Sequence, residues 1–179
     1  MLRRILVGIA AVVIALAIII SLRPSELRVA RSASIAAAPS AVFAQVNDFR
    51  KWSAWSPYER VDPAMKKTYA GASAGMGAIN AWAGNSEAGE GRATIVESRP
   101  NELVKIQLDF LKPMEGNAVA EFSFRPEGER TQVTWSFVGP CNFIAKAVGL
   151  FLDMDKMVGG QFEEGLADLK KTVETTAKS

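Results

Sequence analysis

The chain of 179 residues has no histidine and a single cysteine, Cys141. Without histidine it cannot build a Ser-His-Asp or Cys-His catalytic site, nor a zinc site that uses imidazole ligands. One cysteine forms neither an intramolecular disulfide nor a cysteine-rich metal site, and no histidine is present to activate its thiol. We therefore predict no catalytic residue, no metal site and no cofactor, and a structural role for Cys141.

Positive charge is also scarce outside the N-terminus. The net charge is +2, but Arg3, Arg4 and Arg23 all lie within the first 25 residues. Residues 26–179 carry 18 basic and 19 acidic side chains, a net charge of −1. Because this part of the chain lacks an excess of basic residues, we predict no nucleic-acid partner.

The N-terminus contains the longest apolar run, Ile5–Leu22, which has no charged residue. A helix over this run would be about 27 Å long, close to the hydrocarbon thickness of a bilayer. The alternative is a cleaved signal peptide, whose apolar region is usually shorter, about 7–15 residues, and ends at a small-residue cleavage site. Here Arg23-Pro24 follows, and the nearest small-residue sites fall within a predicted strand. These features favour one uncleaved transmembrane helix.

We accordingly divide the chain into an N-terminal membrane anchor, residues 1–25, and one domain, residues 26–179. Arginines flank the anchor on both sides, so the positive-inside rule does not determine its orientation. A short N-terminal tail before a first anchor more often stays in the cytoplasm, which favours an extracytoplasmic (periplasmic) domain. The oligomeric state stays open.

Seven runs in the domain alternate between apolar and polar residues, as half-buried strands do. Two short helices, Ala41–Val46 and Phe49–Trp52, are predicted after the first run. Glycines at 89 and 91 predict a bulge or bend in the fourth strand. The predicted strands are Leu27–Ile35, Lys66–Ala70, Ala78–Trp82, Glu87–Glu97, Leu103–Phe110, Ala118–Arg125 and Gln132–Phe137.

The last stretch, Cys141–Ala177, has apolar residues at spacings of three and four, which predicts one long amphipathic helix. Gly159 and Gly160 would weaken this helix unless close packing or a bend compensates. An antiparallel meander needs cover on one face, and this helix can provide it. The predicted fold class is therefore α+β: a curved antiparallel sheet of about seven strands wrapped on a long C-terminal helix (a helix-grip fold), preceded by one transmembrane helix.

Several local motifs accompany this order of elements: Lys51-Trp52, Trp55-Ser56-Pro57, Lys67-Thr68-Tyr69, Gly71, Gly75, Gly77, Trp82, Gly84-Asn85, Gly89-Glu90-Gly91, Phe162, Gly165, Leu166 and Leu169-Lys170. The element order and these motifs resemble the polyketide cyclase/dehydrase-like members of the START/Bet v 1-like (SRPBCC) superfamily over residues 26–175. This resemblance implies a deep cavity between the sheet and the terminal helix, which different members use for lipids, hormones, polyketides or a chaperone client. It implies no universal catalytic residues.

Aromatic residues and methionines recur on the inward faces of the predicted elements. Each could be ordinary core packing, but ligand pockets are lined mainly by such side chains. The indole N–H groups of Trp82 and Trp135 need partners if they are buried. The candidate ligand-binding residues are Trp52, Trp55, Tyr69, Trp82, Phe110, Phe122, Trp135, Phe137, Phe151 and Met154.

Polar clusters are few. Glu90 and Arg92 share a face of the fourth strand, which predicts a solvated charge pair rather than an acid–base site. The glycines do not form a phosphate-binding loop, because no Gly-Lys-Ser/Thr follows them.

These observations predict a membrane-anchored protein that binds a hydrophobic small molecule or lipid in the cavity, without chemistry. Two alternatives stay open. One is a polyketide cyclase/dehydratase-like enzyme that works through Tyr69 or a glutamate. The other is a partner-binding module with a filled core and no ligand.

Overall fold

The computed structural model describes residues 2–150 and 152–176, except for the side chains of Leu2 and Val12. The predicted fold class is confirmed: a curved antiparallel sheet packs on a long C-terminal helix. Two 3₁₀ turns, Phe49–Ala54 and Pro57–Arg60, follow the second helix. The helices are α1 (Leu2–Ser21), α2 (Pro39–Val46), α3 (Phe143–Val148) and α4 (Met154–Thr176), and the strands are β1 (Glu26–Ile35), β2 (Lys66–Gly71), β3 (Ala78–Ala83), β4 (Glu90–Arg99), β5 (Leu103–Lys112), β6 (Gly116–Glu127) and β7 (Arg130–Pro140).

All seven strands form one sheet in the order β1-β7-β6-β5-β4-β3-β2, with every neighbouring pair antiparallel. The inward parity predicted for β5 and β6 is confirmed, because Val104, Ile106, Ala120 and Phe122 are all buried. The irregularity predicted in β4 is also confirmed, since the register with β5 shifts between Glu90 and Gly91. Such a shift increases the local bend of a strand.

The prediction of one continuous helix over Cys141–Ala177 is wrong, because the chain forms two helices, α3 and α4. Gly149 ends α3, and its carbonyl oxygen accepts a 2.6 Å hydrogen bond from Arg23 Nη1. Asp153 starts α4 by accepting a hydrogen bond from the backbone N–H of Lys156. The apolar spacing continues across this break, but a cap on each side favours two shorter helices.

Helix α4 packs its apolar face against the concave side of the sheet. Its buried residues are spaced by three or four, as predicted for this part of the chain. Gly159 is one of them: a Cβ there would overlap the guanidinium of Arg31 on β1. That guanidinium binds Asp155 (Nη2–Oδ2 2.8 Å) and Glu163 (Nε–Oε1 2.7 Å), and its hydrogen bond lowers the pKa of Asp155. Close packing and ion pairing therefore account for a glycine within this helix.

The two charged residues of β4 have partners other than the predicted ones. Arg92 pairs with Asp109 (Nη2–Oδ2 2.9 Å) and Glu90 pairs with Lys112 (Oε1–Nζ 2.8 Å), both on β5. The predicted Glu90–Arg92 pair is therefore wrong in its partners, because side chains directly across two strands approach more closely than those two apart along one strand. Both pairs are solvent-accessible, as expected.

Among the described residues, one helix is long and apolar enough to cross a membrane, over Arg3–Ser21. It contacts α3, and only four residues separate the end of α1 from the start of β1. The backbone N–H of Cys141, between β7 and α3, donates to the carbonyl oxygen of Ser25 at 2.8 Å. The end of α1, the start of β1 and α3 therefore lie together.

Candidate ligand-binding cavity

A cavity of about 340 Å³ lies between the concave face of the sheet and the first half of α4. Its volume lies at the lower end of the range of small-molecule pockets, about 300–1,000 Å³. The wall is mostly apolar, with a few polar side chains. The lining residues are Trp52, Ser56, Tyr58, Glu59, Val61, Met65, Asn80, Trp82, Glu87, Ala88, Ala93, Leu108, Phe110, Ala120, Trp135, Phe137, Val158 and Phe162.

The strand residues around the cavity come from one end of the sheet. They lie in the last parts of β3, β5 and β7 and in the first parts of β4 and β6. Because neighbouring strands run in opposite directions, these parts share one end. Strand β1 begins at this same end, since Glu26 pairs with Pro140. The cavity is thus at the end of the sheet to which α1 is joined.

An aromatic cluster forms the floor of the cavity. The ring of Trp135 stacks on Phe162 of α4 with a centroid distance of 4.1 Å and an interplanar angle of 7°. On its other side it stacks on Phe122 at 4.7 Å, and Trp55 meets it edge-on at 5.8 Å. These contacts fix the orientation of the indole from three elements of the fold.

Gly91 makes room for the opposite wall. It pairs with Trp82 in the register of β3 and β4, and a Cβ there would lie 2.5 Å from Trp82 Cζ2. The indole N–H of Trp82 donates to the carbonyl oxygen of Ala88 at 3.1 Å. The absence of a side chain at Gly91 therefore lets the Trp82 ring lie across β4 at the cavity.

Three polar atoms on the wall are buried without a hydrogen-bond partner within the described part of the protein: Ser56 Oγ, Asn80 Oδ1 and Trp135 Nε1. Their residues are 1%, 7% and 2% exposed. A buried donor or acceptor without a partner costs about 1–3 kcal/mol of stability. All three residues belong to the cavity lining, so this cost is concentrated at one place in the molecule.

The 3₁₀ turn Pro57–Arg60 adds a hydroxyl and a carboxylate to the wall. Desolvation raises the pKa of Tyr58 to about 12, so its hydroxyl stays protonated at neutral pH. Glu59, with 10% of its side chain exposed, forms an ion pair with Lys67 of β2. Desolvation acts to lower the pKa of Lys67, but the hydrogen bond and charge of Glu59 outweigh it and raise that pKa. Lys67 is therefore protonated at neutral pH.

The predicted ligand-binding residues are only partly brought together. Trp52, Trp82, Phe110, Trp135 and Phe137 line the cavity. Trp55 and Phe122 lie behind this wall in the core, fully buried.

Tyr69 lies on the edge strand β2, where the guanidinium carbon of Arg50 is 5.0 Å from the centre of its ring. Met154 borders a second depression of about 490 Å³ beside α3 and Arg23, outside the cavity. Phe151 falls outside the described residues.

Sequence reasoning missed the polar residues of the wall. Ser56 belongs to the motif Trp55-Ser56-Pro57 and Tyr58 and Glu59 follow it, but none of them was a candidate, and Asn80 occupies an inward position of β3. The alternation of β3 could have indicated Asn80, since Asn80 shares the inward face of that strand with Ala78 and Trp82. No periodicity marks the others, because a 3₁₀ turn of four residues is too short to show one.

Comparison with known proteins identifies the family. Residues 26–174 match the family described as "Polyketide cyclase / dehydrase and lipid transport". This match covers most of the chain, including the whole sheet and α4 as far as residue 174, so the protein belongs to this family. No curated protein matches the sequence.

Solved structures of the same fold come from several bacteria. A protein from Nitrosospira multiformis is 19% identical, with a TM-score of 0.60 over 86% of this chain and 100% of that one. A protein from Thermobifida fusca is 22% identical, with a TM-score of 0.57 over 82% and 92%. The Aha1 dimer from Colwellia psychrerythraea is 14% identical, with a TM-score of 0.59 over 83% and 96%. At these identities the likeness establishes the fold.

Proposed function

We propose that this protein is a membrane-anchored binding protein for a hydrophobic small molecule or lipid, held in the cavity between the sheet and α4. The observation that supports it is the apolar, aromatic-lined cavity of about 340 Å³. Trp52, Trp82, Phe110, Trp135 and Phe137 are the proposed ligand contacts among the residues expected from the sequence. Membership of a family that includes lipid transport supports the same proposal.

Residues 1–25 are the proposed anchor and residues 26–179 the proposed binding domain. Helix α1 spans 20 residues, about 30 Å, which suits a bilayer. The cavity lies at the end of the sheet joined to α1, which suits exchange of an apolar ligand with the membrane. We propose an extracytoplasmic domain, in keeping with the short N-terminal tail before α1.

Helix α3 supports the same orientation toward a bilayer. It contacts α1, and Phe143, Ile144 and Val148 are 54%, 61% and 41% exposed. Leu152, just after it, is 48% exposed. Exposed apolar side chains beside the end of an apolar helix suit the interface between lipid headgroups and hydrocarbon.

The test of the binding function compares the full chain with a variant whose cavity is filled. Ala93 and Ala120 are both buried on the cavity wall, so A93L with A120L directs two larger side chains into that space. We expect native mass spectrometry of the chain from its own host to show one co-purifying small molecule. Occupancy falls at least about tenfold in the filled variant, because a bound molecule loses the volume that it needs.

The matched control is V119L, whose side chain lies on the outer face of β6 next to Ala120. This substitution leaves the anchor and the lipids around it unchanged and adds no volume inside the cavity, so the variant should retain the bound molecule. Organic extraction then identifies the ligand class. A chain that purifies empty and gains no thermal stability from a panel of lipids would contradict the proposal and favour a partner-binding module.

The anchor has a separate test. We expect the full chain to stay in the membrane fraction after washing with alkaline carbonate. A11R places a charge in the middle of α1, at a cost of about 2.5–3.5 kcal/mol for insertion, and should release much of the chain. A11L is the control and should stay in the membrane. N-terminal sequencing of native protein that began after Leu22 would show cleavage and overturn the anchor.

One observation favours a second function, the polyketide cyclase/dehydratase-like enzyme. Glu59 brings a carboxylate to the same wall as the Tyr58 hydroxyl, a combination that can serve acid–base chemistry. The ion pair with Lys67 and the raised pKa of Tyr58 make this the weaker proposal. Recovery of the co-purifying molecule in a chemically altered form after incubation with the protein would favour the enzyme.

A further inference from the structure

The three polar atoms of the cavity wall lack hydrogen-bond partners, whereas other buried polar groups of this core have them. The other three indole N–H groups all donate to backbone carbonyl oxygens: Trp52 to Val46 (2.9 Å), Trp55 to Gln45 (3.4 Å) and Trp82 to Ala88 (3.1 Å). Thr131, a fully buried polar residue away from the cavity, donates to the carbonyl oxygen of Ala37 at 2.7 Å.

The three unpartnered atoms define a hydrogen-bonding pattern. Trp135 Nε1 can only donate, Asn80 Oδ1 can only accept, and Ser56 Oγ can do both. They come from different walls, since Trp135 is on β7, Asn80 is on β3 and Ser56 lies between the two 3₁₀ turns. A ligand that satisfies all three presents hydrogen-bonding groups in more than one direction: one accepts from Trp135 and one donates to Asn80, and a hydroxyl can do either.

The charge of the wall limits the ligand further. Its charged lining residues are Glu59 and Glu87, both acidic. Lys67, outside the lining, forms an ion pair with Glu59. An anionic headgroup in this cavity would meet carboxylates and find no unpaired cation among the lining residues, so an anionic ligand is disfavoured. Because the rest of the wall is mostly apolar, burying any charge there is costly, which favours an uncharged ligand.

We propose that the cavity is selective for an uncharged hydrophobic molecule that carries at least two oxygen functions, one of them a hydroxyl, which bind Trp135, Asn80 and Ser56. This inference rests on the proposed function, because it assigns a ligand class to the same cavity. The volume of about 340 Å³ suits one small molecule or one short chain rather than a two-chain lipid.

The test uses three probes that share one apolar skeleton: naphthalene, naphthalenediol with a hydroxyl on each ring, and naphthoate. Each is titrated into the full chain in nanodiscs, and the signal of the A93L, A120L variant is subtracted to remove partition into the bilayer. We expect the diol to bind at least about tenfold more tightly than naphthalene, because it can form two hydrogen bonds that naphthalene cannot. Naphthoate binds more weakly than the diol.

Two substitutions each replace one polar side chain of the wall by an apolar one: W135F loses the indole N–H, and N80L loses the whole amide. W135F removes the donor and N80L removes the acceptor, and each lowers the advantage of the diol over naphthalene about threefold to tenfold. N80L also raises the Tm of the ligand-free protein, because it removes a buried acceptor without a partner. T131V is the control: it removes a buried hydroxyl that is bonded within the protein and lies outside the cavity lining, so the ratio of the two affinities stays as in the wild type.

The outcomes separate this inference from the proposed function. If naphthalene and the diol bind equally, and W135F and N80L leave their ratio unchanged, the cavity binds apolar molecules and the selectivity is wrong. Tighter binding of naphthoate than of the diol overturns the uncharged class. If none of the three probes binds, this ligand class is overturned, whereas the fate of the proposed function depends on the native mass spectrum. A lower Tm for N80L would show that Asn80 has a structural role instead.

Discussion

Replacing Leu169 by alanine lowers the free energy of unfolding by about 2–5 kcal/mol. Leu169 is 0% exposed in the second half of α4, where it belongs to the main hydrophobic core. Truncation removes apolar contacts and leaves a cavity, because the sheet and the helix on either side cannot fully collapse into the space. The measurement is guanidinium unfolding of the full chain in mild detergent, followed by tryptophan fluorescence.

Leu111 provides the matched control for this substitution. It lies near the end of β5 and is 55% exposed, so L111A should change stability by no more than about 0.5 kcal/mol. Equal losses for L169A and L111A would show that α4 does not hold the sheet in the way that the packing indicates.

Two glycines of α4 are expected to respond in opposite directions to the same substitution. A Cβ at Gly165 would lie 2.8 Å from both Pro57 Cδ and Trp135 Cζ3, so G165L forces the helix away from the sheet. Overpacking of this kind lowers the free energy of unfolding by about 1–3 kcal/mol and occasionally more. Gly160 is exposed and has nothing within 4 Å of its Cβ position, so G160L should stabilise the helix by roughly 0.8 kcal/mol.

The same unfolding measurement tests this pair. The Gly165 substitution also pushes on Trp135, so it should weaken binding of the diol more than G160L does. A stable G165L variant with unchanged binding would mean that α4 and the turn at Pro57 can separate without affecting the cavity.

Helix α4 therefore combines two roles along its length. Val158 and Phe162, in its first half, border the cavity, whereas Leu166, Leu169 and Val173 in the second half pack in the core. The second half supplies the burial that holds the helix on the sheet. This division is how a small domain can keep an internal space and still fold.

The alternation of the strands could be predicted from sequence because a strand with one buried face repeats every two residues. The four inward positions from Ala118 to Phe124 are all buried in β6, and turn residues marked the strand ends to within a few positions. The uncharged run at Ile5–Leu22 likewise predicted a helix, and the order of the elements predicted the family. These features depend on local sequence pattern, so they can be predicted from the sequence alone.

The break between α3 and α4 could not be predicted from the sequence, because it depends on contacts with residues far away in the chain. The spacing of apolar residues runs through Gly149, but Arg23 bonds its carbonyl oxygen from 126 positions away. Likewise, the sequence marked Gly159 only as a weak point, whereas in the fold the guanidinium of Arg31 occupies the space of its missing side chain. Contacts of this kind carry no periodic signal.

What the sequence by itself determined is the apolar N-terminal helix, the seven strands with the antiparallel meander of the last six, and the amphipathic character of the terminal stretch, since each follows from local pattern and burial. Only the tertiary structure decided which aromatic side chains border the cavity and which lie behind it. Trp135 and Trp55 look alike in the sequence, yet the indole N–H of Trp55 finds the carbonyl oxygen of Gln45 and that of Trp135 finds no partner in the described protein. The physical reason is that a cavity is the space left between elements far apart in the chain, so its polar pattern exists only once they pack.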